Sequence, residues 1–264
     1  MSYQTIELQS TNGVAWVTLN RPEFLNAITT QMVGEIHSAL DEIQDDAEIR
    51  VLVFTGRGRA FCAGADLKGS AGESAAGQEK PRLPFIELVQ KLFLRVRVLP
   101  KPVIAAINGI AMAGGLELAM NCDIVVAADD AKIADAHANV GVIPGAGGCA
   151  ILPRLIGPAY TKYLVFSGES VLAPELHRLG LIAKLFPRNK LIEGASALAE
   201  RIAEKSPLGL SYMKRLINEG MEQANVATAL GMELTANAAY GHSYDFNEGV
   251  AAFNERRKPQ FRGC

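Results

Sequence analysis

One stretch limits the folds open to this chain more than any other: Asn108-Gly-Ile-Ala-Met-Ala-Gly-Gly-Leu-Glu-Leu-Ala-Met-Asn-Cys-Asp123, preceded by Lys101-Pro-Val-Ile-Ala-Ala-Ile107. The earlier segment is short, apolar, β-branched and bounded by proline, so it reads as a buried strand rather than a helix. After Gly114 and Gly115, the run Leu116 to Met120 is built of good helix formers. A strand that turns through glycines into a helix aims unpaired N–H groups and the positive helix end at whatever occupies the turn. A ligand oxygen that gains negative charge during reaction is stabilised there. Glu117, inside the first turn of that helix, is placed to exchange a proton with the same ligand. The pattern predicts an enzyme that makes an oxyanion and moves protons beside it.

A second stretch repeats the theme. Val51-Leu-Val-Phe-Thr55 reads as another buried strand and leads into Gly56-Arg-Gly-Arg-Ala-Phe-Cys-Ala-Gly-Ala-Asp-Leu-Lys68. Ala63, Gly64 and Ala65 are small enough for a ligand to approach the backbone, and Asp66 suits the start of a following helix. If the two turns meet, the N–H groups of Ala65 and Gly115 converge on one carbonyl oxygen. Loss of one such donor costs about 3–4 kcal/mol of transition-state stabilisation.

Several function classes fall away on composition. The chain has 264 residues, 49% hydrophobic and 20% charged, with a formal net charge of -2. That suits a soluble globular enzyme and gives no basic surface for nucleic acid. No apolar run reaches the roughly 20 residues of a membrane-spanning helix. The start, Met1-Ser-Tyr-Gln-Thr-Ile, shows neither a signal peptide's apolar core nor an Arg-rich transit face, so a bacterial cytoplasmic location is expected. Cys62, Cys122, Cys149 and Cys264 form no Cys-x-x-Cys pair, which argues against a zinc site and a disulfide framework. Cys62 lies in the candidate site, but a small residue packing a crowded turn describes it better than a nucleophile. His37, His177 and His242 lack metal-ligand spacing, and no metal is expected.

The order of elements follows from periodicity. Thr5–Gln9 and Val14–Leu19 flank Asn12-Gly13, a hairpin signal. Thr29 to Ile43 carries Met32, Ile36, Leu40 and Ile43 at helical spacing, with Thr29 or Thr30 as N-cap. Gly69 to Lys80 reads as a mobile segment over the site. Phe85 to Leu99 is expected to be helical, with Leu88, Leu92, Val96 and Leu99 on its stripe. Asp123-Ile-Val-Val-Ala127 reads as a further strand. Repeated strand, turn and helix units predict an α/β core, spanning residues 1–194. Beyond it, residues 195–264 lose strand signals and become helical. Gly145-Ala-Gly-Gly-Cys-Ala150 fits a loose dinucleotide fingerprint, yet it follows Pro144 and lacks the acidic residue that should come later. Its glycines are read as admitting substrate and starting a helix toward Leu155.

Taken together, Ala60-Phe-Cys-Ala-Gly-Ala-Asp-Leu-Lys68, Asn108-Gly through Ala113-Gly-Gly-Leu-Glu-Leu-Ala119 and Gly141-Val-Ile-Pro-Gly-Ala-Gly-Gly148 resemble the crotonase (enoyl-CoA hydratase/isomerase) superfamily. Leu19-Asn-Arg-Pro, Asn26-Ala27 and Phe253-Asn-Glu-Arg-Arg-Lys-Pro-Gln-Phe261 extend the likeness over nearly the whole chain. The resemblance implies a spiral of repeated ββα units, with a C-terminal helical region that packs on neighbouring subunits in a trimer or dimer of trimers. It implies an acyl-CoA thioester substrate, with coenzyme A arriving as part of the substrate and no other cofactor. Ala63, Ala65, Asp66, Leu67, Lys68, Gly115, Lys258 and Phe261 are then the residues expected to touch that thioester. Lys68 with Arg256, Arg257 and Lys258 are candidates for its phosphates.

The chain departs from the hydratase pattern at His137. In Ala134-Asp-Ala-His-Ala-Asn-Val-Gly141 an imidazole stands where hydratases of the family carry a second glutamate. Glu117 matches the first and is expected to be the principal acid/base, with His137 assisting. An imidazole, with an ordinary pKa of about 6.5, suits proton exchange near neutrality. Asp135 is set aside as the weaker candidate, expected to point away. The expected activity is enoyl-CoA hydration. The alternatives are double-bond isomerisation, another reaction on the same oxyanion site such as hydrolysis or decarboxylation, and a non-catalytic acyl-CoA-binding subunit.

Overall fold

The computed structural model describes residues 3–67 and 82–264. The expected mobile segment Gly69–Lys80 and Lys68 lie outside the described residues. Strands β1 (Ile6–Thr11) and β2 (Val14–Leu19) form the antiparallel hairpin, and Asn12 and Gly13 between them take φ of 52° and 76°. Asn-Gly accepts that left-handed pair of conformations at little cost, which is why it closes two-residue hairpins. Helix α1 (Thr30–Asp45) starts where the side chain of Thr29 accepts from Met32 N–H at 3.1 Å, and it buries Met32, Ile36, Leu40 and Ile43 as the spacing predicts.

From β3 onward the chain builds two sheets at once. β3 (Val51–Gly56) joins a large sheet and β4 (Ala60–Cys62) a small one; helix α2 (Arg82–Val98) follows. β5 (Val103–Ile107) and β6 (Ile110–Met112) repeat the division and lead into α3 (Gly114–Met120). β7 (Ile124–Ala128) and β8 (Lys132–Ala134) repeat it again. Short helices α4 (Leu152–Ile156) and α5 (Pro158–Ser167), strand β9 (Val171–Leu172), helix α6 (Ala173–Arg178) and strand β10 (Lys184–Phe186) complete the core. The large sheet runs β1-β2-β3-β5-β7-β10, parallel after the hairpin, and the small sheet runs β4-β6-β8-β9. Each unit therefore adds one strand to each sheet and advances one turn, the α/β spiral that the resemblance implies. All five residues of β5 are buried, as a parallel strand covered on both faces requires.

Helix α2 departs from the expected stripe. Leu88 is 40% exposed, whereas Val89, Leu92, Phe93, Val96 and Leu99 are buried. A stripe on a straight α-helix drifts at 3.6 residues per turn, so Val89 and Phe93 replace Leu88 on the inner face.

Four helices end the chain: α7 (Leu191–Ala203), α8 (Pro207–Gly220), α9 (Val226–Tyr240) and α10 (Tyr244–Glu255). Leu191, Ala195, Ala199 and Ala203 of α7 are buried against the large sheet, so a division at residue 194 falls inside a helix of the core layer. Helix α8 is tied back by Lys214 Nζ to Asp123 Oδ2 at 2.7 Å. Helix α9 buries only Ala236. Among the described residues no helix is long and apolar enough to cross a membrane.

Candidate active site

The turn after β4 is fastened from both sides. Buried Asn26 donates to the carbonyls of Ala60 at 2.8 Å and Arg57 at 3.0 Å, while its own side-chain oxygen accepts from Arg21 N–H at 2.8 Å. Arg21 pairs with Asp66 at 2.9 Å. Ile28 N–H donates to Gly64 O at 2.8 Å and Asp66 N–H donates to Ile28 O at 2.9 Å. Both neighbours of Ala65 thus pair toward Ile28. By strand alternation the Ala65 N–H points the other way, and it has no acceptor among the described residues. Gly64, at φ 97°, makes the turn that presents it.

The second turn approaches this one. Ala113 precedes α3 with φ 49°, and the first intrahelical bond runs from Glu117 N–H to Ala113 O, so the N–H groups of Gly114, Gly115 and Leu116 have no acceptor among the described residues. A Cβ placed on Gly114 would lie 3.8 Å from the Ala65 nitrogen. Gly114 lines the cavity with Ala65, whereas a Cβ on Gly115 would lie 2.0 Å from Cys62 O. The two turns lie side by side, with Gly114 facing the cavity beside Ala65. Gly115 is the glycine that lets α3 lie against β4.

Glu117 is 3% exposed, yet its carboxylate is well held. Its Oε1 accepts from Ala146 N–H at 2.8 Å and Gly148 N–H at 3.1 Å. Asn121, one turn on, donates to Ala146 O at 3.0 Å and keeps that loop in place. The glycine-rich segment that fits a dinucleotide fingerprint is a clamp on the Glu117 carboxylate. His137, 9% exposed, sits in a 3-10 turn with Nε2 3.8 Å from Glu117 Oε2. The two side chains face each other, as their places in the motifs imply.

Asp135 overturns its expectation. The strand ends at Ala134, and Ala136 takes φ 57°, folding the chain back so that Asp135 Oδ1 meets His137 Nδ1 at 2.9 Å. The carboxylate is fully buried, and its Oδ2 has no hydrogen-bond partner among the described residues. Asp135, Ala146, Gly148 and Asn121 are the residues sequence reasoning missed. The glycines were visible, but only the fold shows what their backbone N–H groups hold.

The cavity holding Glu117 and His137 has a volume of about 550 Å³. Ala63, Ala65 and Leu67 line it with apolar Ile28, Phe85, Val89, Met112 and Ile143. Asp66 instead serves the Arg21 pair. The Cys62 thiol is pushed up to about 12 by burial, only partly offset by the Gly64 N–H, so it stays protonated and inert near neutrality. Lys258 and Phe261 do not reach this cavity within one chain. They line a separate cleft of about 1160 Å³ between the C-terminal segment and the core, where Lys258 meets Glu204 at 3.4 Å. Arg257 is engaged by Glu248 and Glu255, both at 2.6 Å. Of the other histidines, His37 lies against Arg95 and His177 against the Ile182 carbonyl.

Comparison with known proteins finds relatives along nearly the whole chain. The sequence pattern of the enoyl-CoA hydratase/isomerase family matches residues 9–264. The chain is 36% identical over 262 residues to a crotonyl-CoA hydratase of Syntrophomonas wolfei, covering 99% of each protein. It is 37% identical over 251 residues to a 1,2-epoxyphenylacetyl-CoA isomerase of Escherichia coli, covering 95% of each. The crystal structure of an enoyl-CoA hydratase from Bacillus anthracis superposes with a TM-score of 0.93 at 36% identity, over 99% of this chain and 100% of that one.

Proposed function

The chain belongs to the enoyl-CoA hydratase/isomerase family, and from that premise we propose that it adds water across the α,β double bond of an enoyl-CoA thioester. The observation that carries this reading is the facing pair, Glu117 Oε2 and His137 Nε2, at 3.8 Å. That gap is too long for a direct hydrogen bond and suits one water bridging both groups.

The thioester oxygen lies between the N–H groups of Ala65 and Gly114. Glu117 Oε1 is occupied by two backbone donors, so Oε2 is the oxygen free to act as base. His137 Nε2 accepts one hydrogen of the water and orients it. As the water oxygen bonds to the β-carbon, Oε2 takes the other proton and the π electrons move onto the thioester oxygen, giving an enolate held by the two N–H groups. The enolate then takes the proton back from Glu117 at the α-carbon. The product gains one hydroxyl and one hydrogen, and the carboxylate is restored.

The described lining supports a hydrocarbon acyl group, since its side chains beyond Glu117, His137 and Asn139 are apolar. Lys68 is a candidate for the coenzyme A phosphates. The outlying Lys258 and Phe261 fit a contact made across a subunit boundary in a trimer or dimer of trimers.

Incubation with a panel of enoyl-CoA and saturated acyl-CoA thioesters, with products identified by mass spectrometry, tests the reading. Gain of one water supports it. A shifted double bond with no mass change moves the assignment to isomerase, and release of free CoA moves it to hydrolase.

A further inference from the structure

We propose that Asp135 is a positioning residue for this reaction, holding His137 in the tautomer that leaves Nε2 unprotonated toward Glu117. This rests on the hydratase reading given above, and it concerns a residue that the two-carboxylate pattern does not include. A carboxylate with no solvent access is costly to bury unless its charge is met by donors. The donors Asp135 has among the described residues are both from His137: the ring Nδ1 at 2.9 Å and the backbone N–H at 3.4 Å. A carboxylate accepts and does not donate, so the Nδ1 facing it carries the proton. Neutral imidazole then has an unprotonated Nε2, and that nitrogen is the one aimed at Glu117.

The arrangement follows from three features of the local chain. Ala136 in the left-handed region brings residues 135 and 137 onto one side. Gly148 leaves room for the carboxylate, since a Cβ there would stand 2.6 Å from Asp135 Oδ2. The same Gly148 donates its N–H to Glu117. One glycine thus serves both the acid/base and the group that orients its partner.

His137 must be neutral to accept from water. Once protonated it would donate to Glu117 and displace the water. Among the described residues, the ionisable groups facing it are Glu117 from α3 and Asp135 beyond β8. Cys149 lies near both, its thiol pushed up by burial and then by Asp135 and Glu117. Helix α5 packs on the His137 turn, but its Tyr160 and Tyr163 bond Glu175 and Glu169, and Lys162 is exposed. Among the described residues Asp135 is the charge in direct contact with the imidazole, and its removal makes the protonated ring less favourable.

Asp135→Asn tests this. It should lower kcat by about 10²–10⁴-fold, because an amide can donate to Nδ1 and turn the tautomer around. KM should change little, and the acidic limb of the pH–rate profile should move to lower pH. In a His137→Ala background the same substitution should cause no further loss. Nitrogen-15 spectra of histidine-labelled wild-type protein should show His137 protonated at Nδ1, a readout that needs no turnover. An Nε2-protonated His137 in the wild type, an unmoved acidic limb in Asp135→Asn, or an equal loss with and without His137 overturns the proposal. Wild-type protein that hydrates no enoyl-CoA yet keeps the Nδ1 proton sinks the hydratase reading alone.

Discussion

The Ala146 N–H donates to Glu117 Oε1 at 2.8 Å, joining a loop to a helix residue 29 positions earlier. With Gly148 bonded to the same oxygen, the carboxylate has one oxygen fixed and one free. In Glu117→Gln the amide oxygen can keep both loop bonds, and the amide nitrogen then takes the place of Oε2. Shape is preserved while the base is lost. Enoyl-CoA hydration should fall by about 10²–10⁴-fold, with thioester affinity within a few-fold of wild type. Steady-state kinetics with equilibrium binding checks this, and a near wild-type rate removes Glu117 from the acid/base role.

How much of this was legible follows from the range of each signal. Asn12-Gly13, the Met32-Ile36-Leu40-Ile43 stripe and the apolar β5 are local patterns, and they folded as their periodicity predicts. Glu117 and His137 were found because they lie in motifs. Gly114 and Gly115 are alike in sequence; only the nearness of Cys62 O to one of them separates their roles. Asp135 was set aside as pointing away, although residues two apart on a strand share a face, and the left-handed Ala136 that turns it onto His137 is not announced by composition. The Ala146 and Gly148 donors are backbone groups, so no side chain marked them. Lys258 and Phe261 were placed by resemblance, and the single chain holds them in another cleft.

Gly148→Ala tests the shared glycine. Its Cβ would meet Asp135 Oδ2 and Pro144 Cβ, both at 2.6 Å, so the loop must shift and loosen its hold on Glu117. A misplacement of this kind costs about 10²-fold in kcat. Gly34→Ala is the matched control: it lies inside α1 with nothing within 4 Å of the added carbon. That variant should keep full activity and gain about 0.5–1 kcal/mol in denaturant unfolding.

Glu35 gives the fold a pH dependence away from the site. Burial pushes its carboxyl up, but donors outweigh this: Thr5 Oγ1 at 2.6 Å, Thr5 N–H at 2.8 Å and Gln4 N–H. The net shift is downward from the ordinary value of 4.5. A depressed folded-state value means stability that is present above the unfolded pKa and lost as pH falls through the folded one. Glu35→Gln should therefore lower Tm at neutral pH, and the gap to wild type should shrink below the ordinary carboxyl range. Equal gaps in thermal melts at about pH 7 and pH 3 would contradict this.

The C-terminal helices carry an apolar face that one chain leaves uncovered. Val226 and Leu234 of α9 are each 75% exposed and Phe253 of α10 is 84% exposed. We propose that these side chains meet neighbouring subunits; a stable interface buries about 800 Å² per partner. Light scattering at micromolar concentration should give the mass of three or six chains. Leu234→Glu should lower that mass, and a monodisperse wild-type monomer would refute the assembly.

Restoring the two-carboxylate pattern should depend on Asp135. A glutamate at position 137 would bring a second negative charge between Glu117 and the buried Asp135, whose Oδ1 now meets the imidazole. Like charges at that range oppose ionisation and raise the carboxyl pKa. Where that pKa comes to lie above the working pH, the ionised fraction falls about tenfold for every pH step between them. His137→Glu alone should therefore hydrate crotonyl-CoA more slowly than the Asp135→Asn, His137→Glu double variant, by about tenfold or more at neutral pH. The single variant should recover as pH rises, because deprotonation at higher pH overcomes the repulsion, while the double variant should change little over the same range. Initial rates across pH, with folded content checked by circular dichroism, separate the two. A single variant that matches the double at every pH would show that Asp135 exerts no field on position 137.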